Sequence, residues 1–96
     1  MPHDGPFFVY MLRCCDGSFY IGHSEHVEER VVAHNDGRGA IWTTCRRPVT
    51  LVYREACATE AAAVNRERQI KRWTHAKKEA VIEGNLARLK ELSKSK

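Results

Sequence analysis

Hydrophobic residues near the start of the chain form two short runs separated by a polar turn. The first run covers residues 7–12 and the second begins at Phe19, and both are rich in aromatic and β-branched side chains, which favour strands. Asp16-Gly17 lies between them and is a strong signal for a hairpin turn. The pattern predicts two antiparallel strands joined by a tight loop.

The length of that loop decides how two tyrosines are arranged. Successive side chains of a strand point to opposite faces of the sheet, so a two-residue loop would place Tyr10 and Tyr20 on opposite faces. A three-residue loop, Cys15-Asp16-Gly17, would pair Tyr10 with Gly22 and place both phenols on one face, with Gly17 in the left-handed conformation. The sequence leaves both registers open, and in either one the tyrosines can be ordinary core residues.

Helical spacing follows the hairpin. Ser24 is a candidate N-cap, apolar positions recur at helical intervals from Val27, and Asn-Asp-Gly at residues 35–37 should end the helix. An irregular segment is expected over residues 38–48, followed by a third strand over Val49–Glu55.

Two threonines mark the later helices. Thr59 can cap a helix that runs to Arg72, and Thr74 can cap another that ends near Gly84. Leucines over residues 86–92 predict a short last helix. The order is then β-β-α-β-α-α-α, an α+β fold in which helices flank a small, mostly antiparallel three-stranded sheet.

The chain has 96 residues, which is enough for one core and too few for two. We therefore predict a lead-in over residues 1–6, one folded domain over residues 7–85, and a helix and tail over residues 86–96. The longest apolar run, residues 7–12, is far shorter than the ~20 residues of a membrane-spanning helix. No basic-then-apolar leader precedes it, so we expect a cytoplasmic protein that does not associate with membranes.

Charge is distributed unevenly along the chain. The net charge is +4, but residues 1–48 hold 5 basic and 6 acidic side chains, whereas residues 49–96 hold 11 and 6. A basic second half indicates a polyanionic partner. It also describes many lysine-rich helices that only face water, so charge alone does not identify the partner.

Cysteine usage favours a reducing compartment. The four cysteines include no C-x-x-C pair, and free, reduced thiols are therefore predicted. A zinc site would need ligands to converge from dispersed positions, which we regard as the weaker interpretation. The cysteines are Cys14, Cys15, Cys45 and Cys57.

Two polar residues interrupt the apolar stripe of the first helix. Arg30 lies three residues after Val27 and four before His34, so the spacing places a guanidinium and an imidazole on the face toward the sheet. Such an arginine either extends to water along its alkyl chain or supplies a fixed cation for a phosphate oxygen.

A carboxylate interrupts the next long helix in the same way. Glu67 lies four residues after Ala63 and three before Ile70. A carboxylate on an apolar stripe needs a partner. Arg30 is one candidate and a divalent cation is the other, since magnesium favours one or two carboxylates together with water and phosphate.

Together these residues resemble the GIY-YIG nuclease domain over about residues 7–85. Phe8-Val9-Tyr10 stands where that family has its first triplet, and Tyr20-Ile21-Gly22 is the second triplet in full. Residues 34–40, 46–49 and 66–71 resemble, more narrowly, the small single-domain bacterial branch. The family's helical arginine, helical histidine or tyrosine, metal-binding glutamate and late asparagine correspond to Arg30, His34, Glu67 and Asn85.

The resemblance implies hydrolysis of a phosphodiester bond with one divalent ion, Mg²⁺ or Mn²⁺, held by Glu67. Tyr10 would deprotonate the attacking water, and Arg30 would neutralise charge that develops on the phosphoryl oxygens. The other implied catalytic residues, which orient the nucleophile and phosphate or support the glutamate, are Tyr20, His34 and Asn85.

DNA is the implied partner, bound mainly through its phosphates. Trp42 and Trp73 either stack on unpaired bases or pack within the protein. His23 stands where several relatives carry a phosphate-holding lysine. The residues predicted to contact nucleic acid are His23, Arg38, Arg46, Arg47, Lys71, Arg72, Lys77 and Lys78.

The resulting hypothesis is a metal-dependent, structure-specific endonuclease that acts on branched, flapped or damaged DNA. A role in repair or recombination follows from family analogy. The alternative is a nucleic-acid-binding module that keeps this fold but cuts little or nothing without a partner. Either hypothesis leaves room for a protein partner that supplies specificity, and the oligomeric state stays open.

Overall fold

The structure is a computed structural model that describes residues 6–84. A three-stranded antiparallel sheet with strand order β2-β1-β3 is flanked by helices, which confirms the predicted α+β fold. Asn85 and the predicted helix over residues 86–92 lie outside the described residues. The elements are β1 (Phe7–Arg13), β2 (Phe19–Ser24), α1 (Val27–Asn35), α2 (Ile41–Thr44), β3 (Thr50–Cys57), α3 (Glu60–Lys71) and α4 (His75–Glu83).

The hairpin between β1 and β2 has the three-residue loop. The backbone N–H of Cys14 donates to the carbonyl of Ser18 at 2.8 Å, and Gly17 between them has φ of 86°, the left-handed conformation that glycine adopts without steric cost. Tyr10 therefore pairs with Gly22. Tyr10 and Tyr20 consequently lie on the same face of the sheet, so the structure resolves which of the two predicted registers forms.

Strand β1 is the central strand, and both of its faces are covered. Val9 and Met11 pack in one cluster with residues of α3, such as Ile70. Tyr10 and Leu12, on the opposite face, pack in a second cluster with residues that include Val27 at the start of α1. This double burial explains why residues 7–12 read as a continuous hydrophobic run rather than an alternating one.

The predicted caps of α3 and α4 are confirmed. The Thr59 hydroxyl accepts a hydrogen bond from the backbone N–H of Ala62 at 3.1 Å, and Thr74 accepts one from Lys77 at the same distance. Each satisfies a backbone donor that the first helical turn leaves unpaired. Gly84 ends α4 with φ of 72°. Within residues 6–84, no helix combines the length and apolar character that crossing a membrane requires.

The start of α1 differs from the prediction. Ser24 is the buried last residue of β2, and its hydroxyl accepts from the backbone N–H of His26 at 2.9 Å. His26 is the N-cap of α1, without a capping hydrogen bond from its side chain. Ser24 thus stabilises the turn between strand and helix, a local bond that serines form as readily as a cap. Strand β3 also ends two residues later than predicted, at Cys57.

The segment expected to be irregular contains the short helix α2 and is fastened to α1. The Asn35 side chain donates to the carbonyl of Val49 at 3.0 Å and accepts from its N–H at 2.7 Å. The two bonds replace a strand partner for Val49 and hold the end of α1 beside the start of β3. All four cysteines of the chain are free thiols.

Candidate active site

A cleft at the β2 edge of the sheet brings together five of the six predicted catalytic residues. Helix α1 approaches from one face and α3 from the other. His23 and Arg38, which were predicted to contact nucleic acid, also line this cleft, together with Gly39. The sixth predicted residue, Asn85, lies beyond the part of the chain that is described. The five residues brought together are Tyr10, Tyr20, Arg30, His34 and Glu67.

Tyr10 lies at the bottom of the cleft and is only 3% exposed. Burial raises the pKa of its phenol strongly, and the neighbouring Tyr20 and Glu67 add to the rise, while the Arg30 guanidinium opposes it. The free side chain is therefore a neutral phenol. Gly22 makes room for it, because a Cβ atom there would lie 2.7 Å from the Tyr10 hydroxyl.

His34 connects Tyr10 to the short helix α2. Its Nε2 atom is 3.3 Å from the Tyr10 hydroxyl, and its Nδ1 atom is 2.9 Å from Oγ1 of Thr43. The imidazole is 3% exposed, and burial together with the nearby Arg30 lowers its pKa. A neutral imidazole therefore lies against the buried phenol.

Gly39 covers the Nδ1 side of that imidazole. A Cβ atom at position 39 would lie 2.3 Å from Nδ1 of His34, a separation that forces the ring or the backbone to move. The close approach is possible only because glycine has no side chain.

We expect Gly39→Ala to displace His34 and to lower the free energy of unfolding by about 1–3 kcal/mol, the usual cost of overpacking. Urea unfolding and NMR of the imidazole measure the two effects. Gly84→Ala is the control, because its Cβ would meet nothing within 4 Å and only the left-handed backbone is strained. The His34 resonances should move in Gly39→Ala alone. Unchanged His34 resonances in that variant would contradict the packing.

Glu67 lies at the α3 side of the cleft with both carboxylate oxygens engaged. Nδ1 of His23 donates to Oε1 at 2.6 Å, and Nζ of Lys71 lies 2.7 Å from Oε2. Burial raises the pKa of Glu67, but the hydrogen bonds from Lys71 and His23 outweigh it, so the pKa is lowered overall. The side chain is 16% exposed and stays ionised.

The partner of Glu67 is not Arg30, which had been one of two open possibilities. Among residues 6–84 the guanidinium of Arg30 makes no hydrogen bond or ion pair, and its side chain is exposed at the cleft. Arg30 thus lies on the cleft side of α1 with sheet residues such as Tyr10, but it is exposed there, whereas Val27 and His34 are the buried residues of the helix. An unpaired guanidinium in a cleft is available to a ligand anion.

The donor set around Glu67 suits a hard divalent cation only in part. Residues 6–84 contain no group of three or more metal-ligating side chains. One carboxylate, with the remaining positions taken by water and phosphate, is nevertheless a common arrangement for Mg²⁺. The ammonium of Lys71, one helical turn along α3 and 2.7 Å from Oε2, shows that a cation already pairs with this carboxylate.

Several predicted phosphate-contacting cations already have partners within the protein. The guanidinium of Arg46 lies 4.0 Å from the ring centre of Trp42 and pairs with Asp16 at 3.2 Å. Lys77 lies 4.5 Å from the ring centre of Trp73, and that ring packs against the core. Trp73 is therefore a packing residue, whereas Trp42 stays 40% exposed.

The other residues predicted to contact nucleic acid differ in how freely their charged groups could reach a phosphate. Arg47 donates to backbone carbonyls of its own segment and of α1, and burial lowers the pKa of the half-buried Lys78. Arg38 is exposed at the cleft and pairs with Asp36 at 2.9 Å. Arg72 is exposed at the end of α3. The cations nearest to the cleft are thus Arg30 and Arg38.

Comparison with known families agrees with this geometry and defines the class of the protein. Residues 6–80 match the GIY-YIG catalytic domain, so the chain belongs to the GIY-YIG family. Membership implies a nuclease-type function with nucleic acid as the class of substrate.

The individual relatives are small bacterial proteins. The chain is 46% identical over 76 residues to a UPF0213 protein of Staphylococcus epidermidis, covering 79% of this chain and 93% of the relative. It is 48% identical over 75 residues to a UPF0213 protein of Staphylococcus aureus, covering 78% and 92%.

Two solution NMR structures have the same fold. The UPF0213 protein of Bacillus halodurans is 34% identical with a TM-score of 0.53, covering 82% of this chain and 84% of that one. Protein EF2693 of E. faecalis is 35% identical with a TM-score of 0.59, covering 88% and 90%. The sheet and helices described above are therefore those of a family with solved structures.

Proposed function

We propose that the protein is a metal-dependent endonuclease that hydrolyses phosphodiester bonds in DNA. The observation that carries this proposal is the convergence of a buried tyrosine–histidine pair, an unpaired arginine and an ionised carboxylate in one cleft. A phosphodiester requires a base for the attacking water, a cation for the phosphoryl oxygens and stabilisation of the leaving oxygen. The cleft offers a residue for each requirement.

Tyr10 and His34 act together as the base. A phenol with a raised pKa is a poor acceptor on its own, but Nε2 of His34 lies 3.3 Å from its hydroxyl. The proton of the attacking water moves to the phenolic oxygen while the phenol's proton moves to Nε2. Because the pKa of His34 is lowered, the imidazole is free to accept at neutral pH.

Arg30 and Tyr20 complete the protein side of the reaction. The Arg30 guanidinium has no partner among the described residues, so it can contact phosphoryl oxygens without breaking an ion pair. Tyr20 shares the face of Tyr10, with ring centres 6.3 Å apart, and orients the water or the phosphate. Asn85 remains part of the proposal as support for the glutamate side.

Glu67 would hold the divalent ion, Mg²⁺ or Mn²⁺. When bound, the ion neutralises charge on the phosphate and the leaving oxygen. The residue is suited to this because it is ionised and lines the same cleft as Tyr10 and Arg30. His23 and Lys71 hold both oxygens in the structure; with the ion held by Glu67, at least one of these contacts would be lost, and its nitrogen would be available to the DNA phosphate.

DNA with an unpaired or distorted region is the proposed substrate. Trp42 is 40% exposed and Ile41 is 90% exposed, and Arg46 lies over the Trp42 ring. Ring centres of Trp42 and Tyr20 are 6.3 Å apart, so this surface borders the cleft. Unpaired bases stack on exposed aromatic rings, which favours branched or flapped DNA and a setting in repair or recombination.

Binding is expected to be electrostatic. With about four phosphate contacts, affinity should fall by about 10²-fold between roughly 50 and 200 mM salt. Arg38→Gln should lower the slope of log affinity against log salt by about 1, measured by fluorescence anisotropy. Arg66→Gln is the control, since Arg66 does not line the cleft and its guanidinium is bound to Glu55 at 3.1 Å, and its slope should not change. Affinity independent of salt would count against DNA as the partner.

The second candidate is a nucleic-acid-binding module that cuts little without a partner protein. Engagement of both Glu67 oxygens by His23 and Lys71 favours it, because the ion must compete with these groups. Cleavage rates of flapped, branched, single-stranded and duplex DNA, and of matched RNA, separate the candidates and rank the substrates. The endonuclease proposal expects flapped or branched DNA to be cut faster than duplex; equal rates would remove structure specificity from it.

A further inference from the structure

Thr43 is a fully buried threonine, 0% exposed, on the short helix α2. We propose that Thr43 is a positioning residue that fixes the tautomer of His34, so that Nε2 of the imidazole is the acceptor for the proton of Tyr10. The inference rests on the proposed function for its catalytic consequence, but its structural part holds independently of it.

The hydroxyl proton of Thr43 has a defined acceptor. Oγ1 of Thr43 lies 2.8 Å from the backbone carbonyl oxygen of Ala40. A carbonyl oxygen can only accept, so the threonine hydroxyl is the donor in this contact. The hydroxyl has one proton, and donating it to Ala40 leaves Oγ1 with lone pairs only for its second neighbour.

That second neighbour is the imidazole of His34. Nδ1 of His34 lies 2.9 Å from Oγ1 of Thr43, and because Oγ1 can only accept here, Nδ1 must carry a proton. A neutral imidazole carries one proton. Nε2 is therefore unprotonated and presents its lone pair to the Tyr10 hydroxyl 3.3 Å away. The hydroxyl of Tyr10 thus donates to Nε2 of His34, Nδ1 of His34 donates to Thr43, and the hydroxyl of Thr43 donates to the carbonyl of Ala40.

The surroundings restrict the alternatives. The opposite tautomer would require the Thr43 hydroxyl to leave Ala40 and donate to Nδ1. Gly39 lies against the imidazole so closely that a Cβ there would be 2.3 Å from Nδ1, which holds the ring in place. With both His34 and Thr43 buried, the threonine is the polar group that meets Nδ1.

The hydrogen bond from Nδ1 of His34 to Thr43 is present both before and after His34 accepts the proton of Tyr10. A water O–H bond breaks as its proton passes to the oxygen of Tyr10, and the proton of Tyr10 passes to Nε2. The water oxygen forms a bond to phosphorus, the bond to the leaving oxygen breaks, and that oxygen is protonated from solvent. Nδ1 keeps its proton throughout, so Thr43 accepts the same hydrogen bond from neutral imidazole and from imidazolium.

The test compares Thr43→Val, Thr43→Ser and Thr44→Val. Valine has nearly the shape of threonine but no hydroxyl, and serine keeps the hydroxyl. Thr44 is the matched control, since its hydroxyl bonds the same carbonyl at 3.2 Å and makes no hydrogen bond to His34. The ¹⁵N chemical shifts of the two ring nitrogens of His34 report the tautomer, and single-turnover cleavage reports rate and DNA affinity separately.

We expect the Nδ1–H tautomer in wild type, Thr43→Ser and Thr44→Val. Thr43→Val should lose it and slow the cleavage step about 10²-fold, as expected for a general base held in the wrong tautomer, with DNA affinity unchanged. The Nδ1–H form persisting in Thr43→Val, serine failing to restore it, or a cleavage rate that does not follow the tautomer would each overturn the proposal.

Measuring the His34 tautomer distinguishes a failure of this proposal from a failure of the proposed nuclease function. If the tautomer changes as expected while wild type cuts no substrate, the nuclease proposal fails and the placement of His34 by Thr43 stands. If Thr43→Val does not fold, the His34 tautomer in the wild-type protein tests the placement of His34 by Thr43. A majority of the Nε2–H form in wild type would contradict that placement, and a majority of the Nδ1–H form would support it.

Discussion

Replacing Tyr10 with phenylalanine is expected to lower the rate of DNA cleavage by about 10³-fold, within the range that general acid–base groups supply. The change removes one oxygen atom that lies 3.3 Å from Nε2 of His34 and leaves the ring in its core position. DNA affinity should stay within about twofold, because a buried hydroxyl contributes little to phosphate binding. Single-turnover cleavage and anisotropy measure the two quantities.

Tyr53→Phe provides a matched control. Tyr53 is also a strand tyrosine with a raised pKa, about 12, caused by burial and by its hydrogen bond to Glu55. Its hydroxyl lies 2.6 Å from the Glu55 carboxylate and is not part of the cleft. Tyr53→Phe should cut at the wild-type rate. Equal rates for wild type and Tyr10→Phe would show that Tyr10 is only a core residue.

The second large effect is expected for Glu67→Gln, which keeps the shape of the side chain and removes its charge. Loss of the ion's carboxylate should reduce cleavage by about 10³-fold or more. DNA affinity should be unchanged or slightly higher, since a negative charge next to the phosphates is removed. Cleavage with increasing Mn²⁺ measures the first effect, and anisotropy measures the second.

Ion binding can also be followed without cleavage. Paramagnetic Mn²⁺ should broaden the NMR signals of His23, whose Nδ1 lies 2.6 Å from Glu67, and this broadening should vanish in Glu67→Gln. Glu28→Gln is the control, because Glu28 pairs with Arg54 at 2.7 Å and does not line the cleft. If Glu67→Gln cuts and binds Mn²⁺ as wild type does, the ion is held elsewhere or is not needed.

Much of the fold follows from local features of the sequence. The caps at Thr59 and Thr74 and the left-handed Gly84 mark helix ends because each satisfies backbone groups within a few residues. The hairpin register depends on whether the loop has two or three residues, which the sequence left open. In the structure the loop has three residues, and the Asp16 carboxylate stabilises it by accepting a hydrogen bond from the backbone N–H of Ser18 at 3.0 Å.

The site was predictable as a set of residues but not as a set of contacts. Tyr10, His34 and Glu67 are polar residues in apolar runs, which marks them for attention. The contact of Glu67 with His23 joins α3 to β2 across 44 positions of the chain, and no local spacing encodes it. The sequence consequently left Arg30 as an equal candidate for its partner.

Thr43 and Gly39 were missed for a related reason. Both lie in the segment predicted to be irregular, and their roles come from packing against His34, which is nine residues from Thr43 and five from Gly39. A threonine in a loop is ordinarily a solvated residue or a turn former. The one local signal was the apolar pair Ile41 and Trp42 directly before Thr43, which is compatible with a short helix but does not identify what Thr43 contacts.

The proposed endonuclease activity requires only this small domain, a DNA substrate and a divalent ion. The most direct measurement incubates the wild-type protein with labelled flapped, branched, single-stranded and duplex DNA in Mg²⁺, in Mn²⁺ and in excess chelator. We expect cleavage of at least the flapped or branched DNA with either ion and none in chelator. Absence of cleavage of every DNA with both ions, while salt-sensitive binding persists, would contradict it and favour the binding module.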